Sequence, residues 1–292
     1  GSGPYTAEVE WGDGTTTPAT VSFDNGSGTI AATHSYADEG NFPITVTVKD
    51  RNGTTGSAQA TASVSNVPPS VTLPDTIDAD EGTAVTVAAT FIDPGVDDTH
   101  TATINWGDGT TSSGTVTVDT GVARASGTHT YQDDGDFVVT VTVTDDADDS
   151  GTEATTAVVH NTAADIGLST VTDAAEGSAV AVSVEFSDDG QADTHTATID
   201  WGDGTSESGV VTELNGTGSV TATHVYADDG TYEVTAVVTD NDGAAAQVTQ
   251  ATTITNAAPV VVAGPNTSTR AAQETIFGLV TFSDPGFGLT ES

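Results

Sequence analysis

The tetrapeptide Trp-Gly-Asp-Gly occurs three times, beginning at Trp11, Trp106 and Trp201, at a constant spacing of 95 residues. His34, His129 and His224 keep the same interval, as do Tyr36, Tyr131 and Tyr226, Asp50, Asp145 and Asp240, and Asn66, Asn161 and Asn256. A period this long exceeds the roughly 20–50 residues of a solenoid unit and suits a domain of about 100 residues with its own core. The 292 residues are therefore expected to divide into a partial repeat over 1–66, full repeats over 67–161 and 162–256, and the first two strands of a further repeat over 257–292.

Inside each repeat the apolar period is two. Val85, Val87, Ala89 and Phe91 alternate with smaller or more polar residues, and Val180, Val182, Val184 and Phe186 do the same. Ala102, Ile104 and Trp106 fall on one face of a strand, with Thr101, Thr103 and Asn105 on the other. Threonine suits a pleated, half-wet surface, and clusters of Gly, Asp and Asn punctuate the runs as turns. No segment carries a helical stripe. The fold class is all-β: tandem antiparallel β-sandwiches of about seven strands, each with one buried Trp.

Charge excludes several functions. The chain has 43 Asp and Glu against 4 Lys and Arg, a formal net charge of −39. Phosphate backbones and anionic membrane surfaces repel such a molecule, so neither nucleic-acid binding nor membrane docking is expected. No apolar stretch reaches the ~18–20 residues of a membrane span, so no membrane insertion is expected either. With no Cys there is neither a disulfide framework nor a thiolate metal site. With no Met the chain does not begin at an initiator, and a longer or processed polypeptide is expected. The acidity suits high salt, which screens self-repulsion, or calcium-rich surroundings.

The order of motifs is specific. Trp106 to Thr110, then Thr128 to Tyr131, the acidic turn Asp133 to Gly135 and the alternating strand Phe137 to Asp145 have counterparts in the repeats on either side. This arrangement resembles the polycystic-kidney-disease (PKD) repeat family over essentially the whole chain. The resemblance implies Ig-like modules of a bacterial or archaeal surface protein, an extracellular or cell-surface location, and roles as spacers, adhesion units or accessory domains.

Strand parity places the acidic loops. In the second repeat the chain enters after Asn66, returns to the same pole at Asp93 and Asp98, and returns again at Asp145. Asp108, Asp133 and Asp134 fall at the opposite pole. Asn161, Asp188, Asp193 and Asp240 form the corresponding set in the third repeat, and Asn256 with Asp284 begin it in the last. These residues can act as solvated turn formers. Gathered at one pole, however, so many carboxylates repel unless a cation offsets them, and Ca²⁺ takes ~6–8 oxygen ligands from separate loops. The joint cluster favours calcium as a cofactor. Because the exit pole of one repeat faces the N-terminal pole of the next, calcium there would stiffen the linker too.

Other polar residues have simpler readings. Asp13, Asp108 and Asp203 sit between glycines, where a carboxylate accepting backbone N–H bonds is a turn role. His34, His129 and His224 each precede a Tyr by two positions and are expected to pack or hydrogen-bond at the sandwich edge. No nucleophile elbow, metal-spaced His pair or phosphate loop is present, so no catalytic residues are assigned and no enzyme is expected. Asn25, Asn52, Asn215 and Asn266 head Asn-x-Ser/Thr triplets and are candidate glycan acceptors.

The first repeat lacks its opening two strands, and residues 257–292 supply two strands of that kind. A half-sandwich leaves apolar faces and strand edges open. Two arrangements complete it: continuation into further covalent repeats, which is favoured, or self-association in which one chain's C-terminal strands complete another's N-terminal half. Either gives an elongated structural rod or filament. The alternative is an adhesin stalk or an accessory module binding carbohydrate or protein.

Overall fold

The computed structural model describes residues 5–119, 122–264 and 280–286, which form two compact units. One unit comprises 5–77, 86–119, 122–129 and 137–157; the other comprises 78–85, 130–136, 158–264 and 280–286. Among the described residues every regular element is a strand, as the period of two requires. Among the described residues no helix is long and apolar enough to cross a membrane.

The first unit opens with β1 (Thr6–Glu10), β2 (Thr16–Asp24), β3 (Ser27–Ala31), β4 (Gly40–Lys49) and β5 (Thr55–Val64), a sheet in the order β3-β2-β1-β4-β5. Ala7 and Val9 alternate inward along β1 and are buried. Ahead of them Tyr5 packs its ring against Phe23, with centroids 5.0 Å apart. Tyr5, Val21, Phe23, Ile30 and Val48 line a shallow apolar groove. Next come β6 (Ser70–Thr72), β7 (Thr76–Asp80), β8 (Ala84–Ile92), β9 (Thr101–Asn105), β10 (Thr111–Asp119), β11 (Val122–Thr130), β12 (Gly135–Thr144) and β13 (Ser150–His160). Their order is β6-β8-β11-β10-β9-β12-β13-β7. Val87, Ala89 and Phe91 of β8, Ile104 of β9 and Val139, Val141 and Val143 of β12 are buried, every second residue in each case.

The second unit contains one complete sandwich. Its strands are β14 (Asp165–Val171), β15 (Ala174–Ala175), β16 (Ala179–Ser187), β17 (Thr196–Asp200), β18 (Ser206–Ser208), β19 (Val210–Leu214), β20 (Thr217–Val225), β21 (Gly230–Thr239) and β22 (Ala245–Thr255), followed by β23 (Val260–Val262) and β24 (Thr281–Ser283). One sheet runs β14-β16-β20-β19 and the other β15-β22-β21-β17-β18. All pairings are antiparallel except that of the short β15 with β22. Val180, Val182, Val184 and Phe186 from one sheet meet Ile199, Trp201, Val234, Ala236 and Val238 from the other as a single core. Strand β16 is what closes it. Val220, paired with Val184 across β16 and β20, is 0 % exposed, whereas Ile30, at the same position two periods earlier, is 37 % exposed.

The repeated tetrapeptide is a tight turn that follows β1, β9 and β17. Trp201 N–H bonds Thr205 O at 3.1 Å, and Gly202 and Gly204 take positive φ of 77° and 92°. A Cβ at Gly202 would lie 2.7 Å from the carbonyl oxygen of Glu233, while one at Gly204 would meet nothing within 4 Å. Asp203 Oδ1 accepts the N–H and hydroxyl of Thr205, and Oδ2 accepts Nε2–H of His224 at 2.7 Å. That imidazole stacks on Trp201, with centroids 4.9 Å apart, and the Tyr226 hydroxyl donates to the Trp201 carbonyl at 2.8 Å. Burial, with a smaller push from Asp203, lifts the Tyr226 phenol to about 12. The same Asp–His–Trp stack recurs at Asp13, His34 and Trp11 and at Asp108, His129 and Trp106. These histidines therefore hold the turn.

Two outcomes follow from this turn. Gly202→Ala and Gly204→Ala share the cost of a positive φ, about 1 kcal/mol or more, but only the first also meets backbone. In thermal unfolding Gly202→Ala is expected to lower Tm clearly further than Gly204→Ala; equal shifts would remove the packing argument. Hydrogen bonds from Thr15, its hydroxyl first, then from His34, pull Asp13 down to about 2. Asp108 and Asp203 are lowered by the equivalent bonds, which outweigh the burial that raises them. A carboxylate depressed in the folded state stabilises above its unfolded value near 4, and that contribution is lost as pH falls through the folded value. Between pH 4 and 2 the wild type should lose stability more steeply than the Asp13→Asn, Asp108→Asn, Asp203→Asn triple variant, as read by denaturant midpoints across that window.

Candidate functional site

Asp145 and Asp240 begin the turns after β12 and β21. Asp145 Oδ1 accepts the N–H groups of Ala147 and Asp149, and Oδ2 accepts the Asn66 amide at 2.8 Å. The Asn66 bond first, then those N–H groups, hold Asp145 below the usual carboxylate range. Asp240 Oδ1 likewise accepts three N–H groups, from Asp242, Gly243 and Ala244, and Oδ2 accepts the Asn161 amide at 3.2 Å. Asp93 and Asp188 bind the N–H of Gly95 and Gly190 and the imidazoles of His100 and His195. His195 lies between Asp188 and Glu213, at 3.0 and 2.8 Å, and these bonds raise its pKa against the effect of burial. Most of the carboxylates expected at the N-terminal pole thus have partners on their own loops.

Asp98 and Asp193 do not. Both oxygens of each are buried without a hydrogen-bond partner among the described residues. In the first unit an oxygen of Asp98 falls within 4.8 Å of oxygens from Asp93 and Asp145, and also within that distance of Asp38 and Glu39. Burial, then the charges of Asp93, Asp146, Asp38 and Asp145, raise its pKa. In the second unit Asp193 groups in the same way with Glu81 and Asp133. Burial, then Glu81, Asp188, Asp133 and Asp240, push Asp193 up to about 7.

Backbone geometry brings these groups together at corresponding places. Asp97 N–H bonds Ala37 O at 3.3 Å, and one period later Ala192 N–H bonds Gln132 O at 2.9 Å. Each bond ties the loop carrying Asp98 or Asp193 to the acidic turn of the preceding repeat. Glu81 stands on the β7–β8 turn, where its N–H bonds His160 O, Gly82 N–H bonds Tyr131 O, and its Oε1 accepts Thr162 N–H at 2.7 Å. A Cβ at Gly82 would lie 2.6 Å from Asp189, so glycine lets the next repeat's loop settle there. Glu176 and Gly177 repeat the arrangement: Glu176 Oε1 accepts Ala257 N–H, and Pro285 lies over Gly177. Glu176 also groups with Asp228 and Asp229. Asn256 is exposed, and Asp284 accepts Gly286 N–H at 3.3 Å.

Sequence parity put Asp98 and Asp193 among the acids of one pole and did not single out Glu39, Glu81 and Glu176, which the structure groups with such acids. The available signal was Glu-Gly at 81–82 and again at 176–177, one period apart. The candidate glycan acceptors Asn25 and Asn215 occupy the two-residue turns of the β2–β3 and β19–β20 hairpins, at φ of 46° and 50°. Asn-Gly is favoured in such turns for its backbone, which explains these residues without a glycan. Asn52 N–H bonds Asp50 in an exposed turn, and Asn266 lies outside the described residues.

The PKD domain profile matches residues 66–160 and 161–255, and a second PKD domain profile matches 4–66. No curated protein sequence matches the chain. Among solved structures, it is similar to the tetra-tandem repeat in the extending region of a large adhesion protein, at 19% identity and TM-score 0.45, over 88% of this chain and 67% of that one. It is also similar to the I-band fragment I67-I69 from titin, at 14% identity and TM-score 0.36, over 86% and 88% respectively. A third is the Yersinia pseudotuberculosis adhesin InvE, at 16% identity and TM-score 0.32, over 62% and 58%. With three consecutive matches that together span nearly its whole length, the chain belongs to the PKD domain family.

Proposed function

We propose that this chain is a stretch of an extracellular, non-catalytic stalk, in which PKD repeats act as spacers and calcium at the acidic joints sets their stiffness. The observation that carries the reading is the joint itself. A backbone bond between successive repeats recurs one period apart, at Ala37–Asp97 and Gln132–Ala192, beside a buried carboxylate without a partner each time. PKD domains are typically non-catalytic, and tandem copies of one module suit repetition of a length rather than assembly of one cleft. The array is proposed to continue covalently into further repeats, which would cover the open face of the first repeat and give an elongated rod. Binding of carbohydrate as the main role has less support, since Trp11, Trp106 and Trp201 are all buried. Among the described residues the only large exposed aromatics are Phe23 and Phe282.

Small-angle scattering and thermal unfolding test this reading together. In calcium the chain should give a narrower, more extended distance distribution and a higher Tm than in excess chelator at matched ionic strength. Superimposable scattering curves with unchanged melting would remove calcium from the reading.

A further inference from the structure

We propose that Glu81, Asp133 and Asp193 form a divalent-cation site, suited to calcium, that takes ligands from two successive repeats and clamps them together. This deepens the calcium reading above and rests on it. It adds two residues, Glu81 and Asp133, and a mechanism in which the ion bridges the repeats instead of bracing one loop.

The three carboxylates come from three separate pieces of chain: the β7–β8 turn, the turn following Tyr131, and the loop between β16 and β17. One oxygen of each lies within 4.8 Å of the others. Oxygens this close can contact one ion, and the flexible shell of calcium at ~2.3–2.6 Å accepts irregular carboxylate geometry that the near-ideal octahedron of magnesium does not. The donors are hard oxygens with no nitrogen or sulfur among them, which favours calcium or magnesium over zinc or copper.

The groups also point to a ligand individually. Glu81 is 0 % exposed, and while Oε1 is held by the linker N–H of Thr162, Oε2 has no partner among the described residues. Asp193 is 6 % exposed with both oxygens unpartnered. Buried polar atoms are otherwise satisfied in folded proteins, and buried charges are paired or bind metal. Burial first, then the charges of Glu81, Asp188, Asp133 and Asp240, all of them carboxylates, raise the pKa of Asp193. Gly190 makes the approach possible, since a Cβ there would lie 2.6 Å from both Asp193 and Glu81. Asp133 is exposed, so the site opens to solvent on one side, where water completes a calcium shell. Asn161 Oδ1, on the linker beside Thr162, is a further buried oxygen without a partner.

Calorimetric titration of the full chain with calcium chloride, and separately with magnesium chloride, tests the site in three variants: Glu81→Gln, Asp193→Asn and the exposed control Asp78→Asn. Gln at position 81 keeps the acceptor for Thr162 N–H while removing the charge. Glu81→Gln and Asp193→Asn should each lose one calcium from the wild-type stoichiometry, with the control unchanged and magnesium bound at least tenfold more weakly. Melting in chelator separates a metal site from a structural role. Removing one of three crowded carboxylates should raise Tm without calcium and shrink the rise that calcium produces. Wild-type stoichiometry and affinity in both variants would overturn the shared site while leaving calcium at other carboxylates intact. A lower Tm for both variants in chelator would also overturn it, by showing that the carboxylates support the fold directly. If the wild type binds no calcium at all, the joint reading falls together with the site.

Discussion

A chain with 43 carboxylates and 4 Lys and Arg cannot neutralise its buried acids with ion pairs. Each carboxylate taken out of water must find N–H groups, hydroxyls or one of only 6 imidazoles, or it stays uncompensated at a large desolvation cost. The structure spends these donors in a regular way. Turn N–H groups serve Asp145 and Asp240, and hydroxyls with imidazoles serve Asp13, Asp108 and Asp203. His100 and His195 serve Asp93 and Asp188. Where the donors run out, at Asp98, Asp193 and Oε2 of Glu81, the remaining carboxylates lie near one another. Two unit charges ~4 Å apart at an effective dielectric near 20 repel by about 4 kcal/mol, a sizeable fraction of a domain's net stability.

The Trp-Gly-Asp-Gly turn and the joint are linked through the same strands. Gly202 lets the turn close against the backbone of Glu233 on β21, and β21 runs on to Asp240 at the opposite pole. Tyr226, tied to Trp201 through its hydroxyl, gives its own carbonyl to Gly177, the residue beside Glu176. Core packing, turn geometry and the acidic shelf are therefore successive contacts along one path. The path recurs because the sequence repeats at 95 residues.

The strands were readable in the sequence because alternation has one period and one consequence. Val180 to Phe186 point inward wherever β16 sits, and Trp106 and Trp201 are buried as their spacing implied. The poles were readable too, since strand parity alone puts Asp93, Asp98 and Asp145 at one end. Parity could not say which of those acids would be consumed locally. Asp93 and Asp98 are five positions apart and look alike in sequence, yet one binds an imidazole and a turn N–H while the other has no hydrogen-bond partner among the described residues and groups with carboxylates. Glu81 was hidden for a related reason. Its position depends on the linker N–H of Thr162, 81 residues away, and on the next repeat's loop settling over Gly82. Both are contacts of tertiary structure and leave no mark on local periodicity.

High salt and calcium both relieve an acidic chain, but they act at different places. Mobile ions screen exposed charges over a Debye length of ~8–10 Å at 0.1–0.15 M, and most of the Asp residues in these turns are exposed enough to benefit. Asp193 and Glu81 are not, because diffuse ions screen buried charges much less than exposed ones. A divalent ion bound among them would act on the oxygens directly, with twice the charge of a monovalent one. Monovalent salt should therefore support the sheets and hairpins without restoring the joint. Under the proposed clamp, stiffness between repeats would depend on a different ion from the one that screens the exposed turns, even though one excess of Asp and Glu underlies both.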